Sequence, residues 1–83
     1  MLNEKKIKQN FGKTLKFFRL QKGLSQEGLA ELSQLHRTYI SEVERGDRNI
    51  SLINIYKLCT SLDIKVNVFF ALMQEAEDNE GEH

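Results

Sequence analysis

Apolar residues recur at intervals of three and four in one segment after another. That periodicity lets a helix bury one face, and it confines the chain to an all-α architecture. No proline interrupts the pattern. Ile7, Phe11, Leu15 and Phe18 form the first stripe, and Lys8, Lys13, Lys16, Arg19 and Lys22 cover much of the remaining surface. Gly23, with lysine just before it, ends this helix. Ser25 is the expected cap of a second helix, Gln26 to Ser33, with Leu29 and Leu32 inward and Ala30 small. Gly28 weakens it by about 1 kcal/mol relative to alanine. A third helix is predicted from about Arg37 to Arg45, closing at Gly46, with Ile40 and Val43 inward. Ser51 caps a fourth, whose buried stripe is Leu52, Ile55, Leu58, Cys59 and Leu62. A fifth begins near Val66.

Eighty-three residues make one small domain. A chain of this size buries only ~60% of its unfolded surface, so its core is marginal without a supplement. A single cysteine, Cys59, excludes an internal disulfide, and with only His36 and His83 beside it no zinc site is expected. Helical spacing makes Cys59 a small core residue. No apolar run approaches the ~20 residues of a membrane span, and no signal-peptide core is present, so a reduced cytoplasmic setting is expected. The remaining supplement is a second subunit. Val66, Phe70 and Met73 share one face of the fifth helix, while Phe69 and Leu72 share another. A short terminal helix apolar on two sides has more to bury than one small core accepts, which points to a dimer interface. The alternative is that both faces fold inward.

Formal net charge is zero, but it is unevenly distributed. All twelve basic residues and seven of the twelve acidic ones precede Glu75, which leaves residues 1–74 at +5. Such a balance suits a polyanionic partner. Residues 75–83 carry five acids and no lysine or arginine, and are expected to be a disordered, solubilising tail.

Three of the four arginines lie in one stretch, LHRTYISEVERGDRN, residues 35–49. On a helix, Arg37, Thr38, Ser41, Glu42 and Arg45 cover the outer side and Tyr39 sits on the boundary. The preceding helix joins this one through a short turn at Gln34 and Leu35. Two short helices locked by Leu29, Leu35, Ile40 and Val43 read as a helix-turn-helix. That angle lets the second helix project into a DNA major groove.

The segment SQEGLAELSQLHRTYISEVERGDRNISL resembles the phage-repressor-like helix-turn-helix family, and RTYISEVERGDRN within it most resembles controller proteins of bacterial restriction–modification systems. The similarity covers roughly residues 7–73. It implies a compact five-helix domain, residues 1–74, that dimerises through its last helix and binds palindromic operator DNA. It also implies control of the chain's own gene and of a restriction endonuclease gene, with activation at low and repression at high concentration. Such a regulator works in the cytoplasm, on the nucleoid.

By the same resemblance, Arg37 is the principal base reader, its fork matched to guanine. Thr38 and Ser41 approach bases or phosphates from the same face, and Tyr39 packs at the groove edge or reads a flexible step by shape. Gln26, Arg48, Asn49 and Ser51 contact the DNA backbone. Val66, Phe69, Phe70, Leu72 and Met73 form the dimer interface. Glu27 and Glu31, on one face of the second helix, are either a solvated acidic turn or a patch that touches RNA polymerase. Two positions depart from the common pattern. Gln34 stands where many such turns have glycine, and His36 where Ser, Asp or Asn usually caps the reading helix.

Other readings keep the fold: a phage-type repressor, or the antitoxin of a toxin–antitoxin pair. A third is a protein-interaction module that no longer binds DNA, which predicts acidic or apolar replacements on the outer face. An enzyme is not expected, because no paired acid–base site, nucleophile–base arrangement or phosphate-binding glycine loop is present. No metal, cofactor or small-molecule ligand is implied.

Overall fold

The computed structural model describes residues 2–80, without the side chain of Glu80. Five helices follow one another: α1 (Glu4–Gln21), α2 (Gln26–Ser33), α3 (Arg37–Glu44), α4 (Leu52–Ser61) and α5 (Val66–Glu80). Their starts obey local chemistry. Asn3, Ser25 and Ser51 each accept a hydrogen bond from the backbone N–H three residues on, at 3.1, 2.9 and 3.1 Å. His36, at the start of α3, makes no such bond.

The first four helices end alike. In each, the chain turns into the left-handed region at Gly23, Gln34, Gly46 or Asp63. The next amide then reaches back to a carbonyl in the last turn, as Leu24 does to Arg19 and Leu35 to Ala30. Gln34, with φ of 60°, takes a conformation that costs a side-chain-bearing residue about 1–2 kcal/mol. The turn is thus made without glycine.

The core collects Phe11 and Leu15 of α1, Leu29 and Ala30 of α2, Ile40 and Val43 of α3, Leu58 and Cys59 of α4, and Phe69 and Met73 of α5, together with Leu62. Burial pushes the pKa of the Cys59 thiol above its ordinary value. Phe69 is the hub, with the rings of Phe11, Phe70 and Phe18 at 4.8, 5.3 and 5.7 Å. α1 lies directly on the end of α3. A Cβ at Gly12 would stand 2.5 Å from the carbonyl oxygens of both Val43 and Glu44, so only glycine permits the approach.

Four expectations need correction. Leu32 is 58% exposed, because Leu29, Ala30 and Ser33 form the inner face of so short a helix. Leu52 is 67% exposed, since it opens α4 at the end furthest from the core-facing Leu58 and Cys59. Arg19 is not on the surface but buried, as described below. The acidic tail is helical through Glu80, and Glu77 accepts a hydrogen bond from the buried Asn10 at 2.8 Å. That bond gives the last turns of α5 a polar anchor on α1. Residues 81–83 lie outside the described part.

Candidate nucleic-acid interface

Among the described residues, α3 presents an outer face whose first turn is open. Arg37 and Thr38, in its first turn, are exposed, while Ile40 and Val43 behind them are buried. The backbone of α3 is therefore held by its inner face, and Arg37 and Thr38 stand exposed at its start. Among the described residues Arg37 has no hydrogen-bond or ion-pair partner, so its five donors remain available.

The other two arginines of this face are engaged. Arg45 donates to Ser41 Oγ at 2.8 Å and to Asp47 at 3.0 Å. Arg48 lies 3.6 Å from a Glu42 carboxylate oxygen and 4.9 Å above the ring of Tyr39. Tyr39 is half-buried, and its hydroxyl accepts a hydrogen bond from Asn54 at 3.0 Å. One side chain of α4 thereby ties the boundary tyrosine of α3 in place.

The far end of α3 is fixed by charge. Arg19 Nε and Nη2 donate to the two carboxylate oxygens of Glu44 at 2.7 and 3.0 Å. Arg19 Nη1 donates to the Leu24 carbonyl at 2.8 Å, and Gln26 adds a bond to Glu44 at 3.1 Å. The two charged side chains are only 8% and 4% exposed. A bidentate pair with its remaining groups satisfied can be accommodated out of water, and here it joins α1, α2 and α3.

The 15–69 segment matches the helix-turn-helix family model, which takes in the whole of α2, α3 and α4. The control protein C.BamHI of Bacillus amyloliquefaciens is 48% identical over 60 residues, spanning 71% of this chain and 74% of that protein. The chain belongs to the controller proteins of restriction–modification systems. Control protein C.MunI of a Mycoplasma species is 44% identical over 66 residues, 78% of this chain and 89% of that protein. Among solved structures, the controller C.AhdI of Aeromonas hydrophila shares 53% identity at a TM-score of 0.73, covering 75% of this chain and 94% of that one. The controller C.Esp1396I, solved as a tetramer on its natural 35 base-pair operator, shares 35% identity at a TM-score of 0.78, covering 83% and 91%.

In this controller the expected site residues fall into distinct environments. Arg37, Thr38 and Ser41 share the outer face of α3, whereas Tyr39 is half-buried at its edge and packs against the core. Arg48 and Asn49 are exposed in the loop that follows, and Ser51 caps α4 beside them. Gln26 stands at the start of α2 but spends one amide proton on Glu44. Glu27 and Glu31 are exposed on α2, one turn apart. The α5 residues divide. Phe69 is 0% exposed and has no surface left for a partner, and Met73, 7% exposed, belongs mainly to the chain's own core. Phe70 is 37% exposed, and Val66 and Leu72 are half-buried.

Two residues with clear roles were missed in the sequence. Asn54 carries no local sign, since its partner Tyr39 is fifteen positions away. Arg19 had one: it follows Phe11 and Leu15 at four-residue spacing, on the apolar stripe itself.

No helix among the described residues is long and apolar enough to cross a membrane.

Proposed function

We propose that this chain is a sequence-specific DNA-binding regulator that reads a palindromic operator as a dimer, without enzymatic activity, in the cytoplasm. The observation that carries this reading is the outer face of α3, where the unpartnered Arg37 and exposed Thr38 open a helix anchored on its other side. Arg37 reads a guanine edge, Thr38 and Ser41 add contacts from the same face, and Tyr39 meets the groove wall. Gln26, Arg48, Asn49 and Ser51 hold phosphates and set the register.

A helix of eight residues is about 12 Å long, whereas successive major-groove half-sites lie ~34 Å apart, so one copy reads one half-site. The second half-site requires a second copy. α5 supplies the contact, with Val66 and Phe70 on one side of the buried Phe69 and Met73, and Leu72 on the other. The C.Esp1396I tetramer on its operator supports such an assembly.

The regulated genes are the chain's own and that of a neighbouring restriction endonuclease, activated at low and repressed at high concentration. Glu27 and Glu31 serve the activating state by touching a basic surface of RNA polymerase. Reversing both charges should abolish activation in a reporter assay and leave operator affinity intact; a parallel loss of binding rejects that role.

The test of the central reading is selection from a random duplex pool at two salt concentrations. Enrichment of a palindrome with half-sites one turn apart is the expected outcome. Sequence-blind binding alone, or none, would overturn it in favour of a protein-interaction module.

A further inference from the structure

We propose that Glu42 is an internal competitor for DNA phosphate: it holds Arg48 against Tyr39, weakening non-specific binding more than operator binding. The inference rests on α3 being the DNA-reading element.

Arg48 is restrained on two sides. Its Nε is 3.6 Å from the Glu42 carboxylate, and its guanidinium lies 4.9 Å over the ring of Tyr39. The ring is itself held, through the bond from Asn54 at 3.0 Å. His36, Thr38, Tyr39, Glu42 and Arg48 border one open depression of about 360 Å³ on the face that meets DNA. Arg45 is also paired with an acid, Asp47 at 3.0 Å, and donates to Ser41 Oγ. The interface therefore offers two arginines already paired with acids and one, Arg37, that is not.

Sequence-blind affinity comes almost entirely from phosphate neutralisation. A phosphate that approaches Arg48 must draw the guanidinium away from the Glu42 carboxylate that already holds it. In a loose complex the phosphates are out of register, and none is held closely enough to draw the guanidinium away. On the operator, base contacts from Arg37 fix the register and bring one phosphate to a defined place. There the guanidinium, with five donors, can serve phosphate and carboxylate together. Glu42 thus acts through Arg48 as a specificity-determining, positioning residue.

Glu42→Gln removes the charge and keeps the size. Binding to a scrambled duplex should strengthen about fivefold, and its log–log salt slope should steepen by about one. Operator binding should change by less than about twofold, so the specificity ratio falls. In an Arg48→Ala background the same substitution should have no further effect. Equal strengthening on both duplexes, or an effect that persists without Arg48, overturns the proposal. Glu42→Ala repeats the measurement in case glutamine re-forms the contact, and thermal melting verifies that each variant is folded. A wild-type chain with no operator preference is a different result, which removes the underlying DNA-reading assignment before any variant is compared.

Discussion

Arg37 and Arg48 differ in what they are free to do, and their substitutions should differ in kind. Arg37→Ala should cost ~1–3 kcal/mol of operator binding and relax preference at one base pair per half-site. Arg48→Ala should weaken operator binding and lower its salt slope by about one without changing base preference, and should affect a scrambled duplex less, because there Glu42 already holds the guanidinium. Competitive binding against single-base operator variants distinguishes these outcomes, and normal operator affinity of Arg37→Ala would remove it as the base reader. Arg19 belongs to stability instead. Its loss strands Glu44 in a site that is 4% exposed, and breaking a buried pair costs about 3–5 kcal/mol. Native domains of this kind have only about 5–15 kcal/mol in total, so Arg19→Ala should fold poorly, if at all. Denaturant unfolding measures it. Replacing Arg19 and Glu44 together by apolar residues should cost much less, because no charge is left without a partner.

Among the elements, the contact of α1 with the end of α3 sets how the reading helix is held. Gly12→Ala raises intrinsic helix propensity by about 1 kcal/mol but drives a methyl group against two backbone carbonyl oxygens. Backbone at a helix end that is also tied by Glu44 cannot simply move aside. Overpacking should win, with a net loss of about 1–3 kcal/mol in chemical denaturation. A variant as stable as the parent would mean that α1 can slide on α3. The limits of α2 and α3 and the starts of α4 and α5, by contrast, were legible in the sequence almost to the residue, whereas the start of α1 at Glu4 and the end of α5 at Glu80 were not. Ser25, Ser51, Gly23 and Gly46 act on their immediate neighbours, so their effects need no knowledge of the rest of the fold. The turn at Gln34 was legible as an anomaly, and the structure resolves it as a left-handed glutamine.

At the scale of the whole molecule, α5 serves the inside and the outside of the subunit at adjacent positions. Phe70→Asp should leave the helical circular dichroism unchanged and shift sedimentation from dimer to monomer, with loss of cooperative operator binding. Phe69→Ala, one residue away, should instead cost about 3–5 kcal/mol and unfold the subunit itself. If Phe70→Asp remains dimeric, α5 is not the contact. The two phenylalanines look alike in the sequence, where both faces of the helix are apolar. Only the position of α1 decides between them, by setting Phe11 and Phe18 against Phe69. The same distinction runs through the chain. The sequence by itself determined the number and order of the helices, the caps at Ser25 and Ser51, the ends at Gly23 and Gly46, the two-helix reading unit and the basic character of the first 74 residues. Those properties follow from neighbours three and four positions apart and from composition. The tertiary structure decided which apolar residues are covered, that Arg19 is interior, that the acidic end continues α5, and that Asn54 and Glu42 hold Tyr39 and Arg48. These depend on which helices meet and at what separation, and local periodicity contains no information about either.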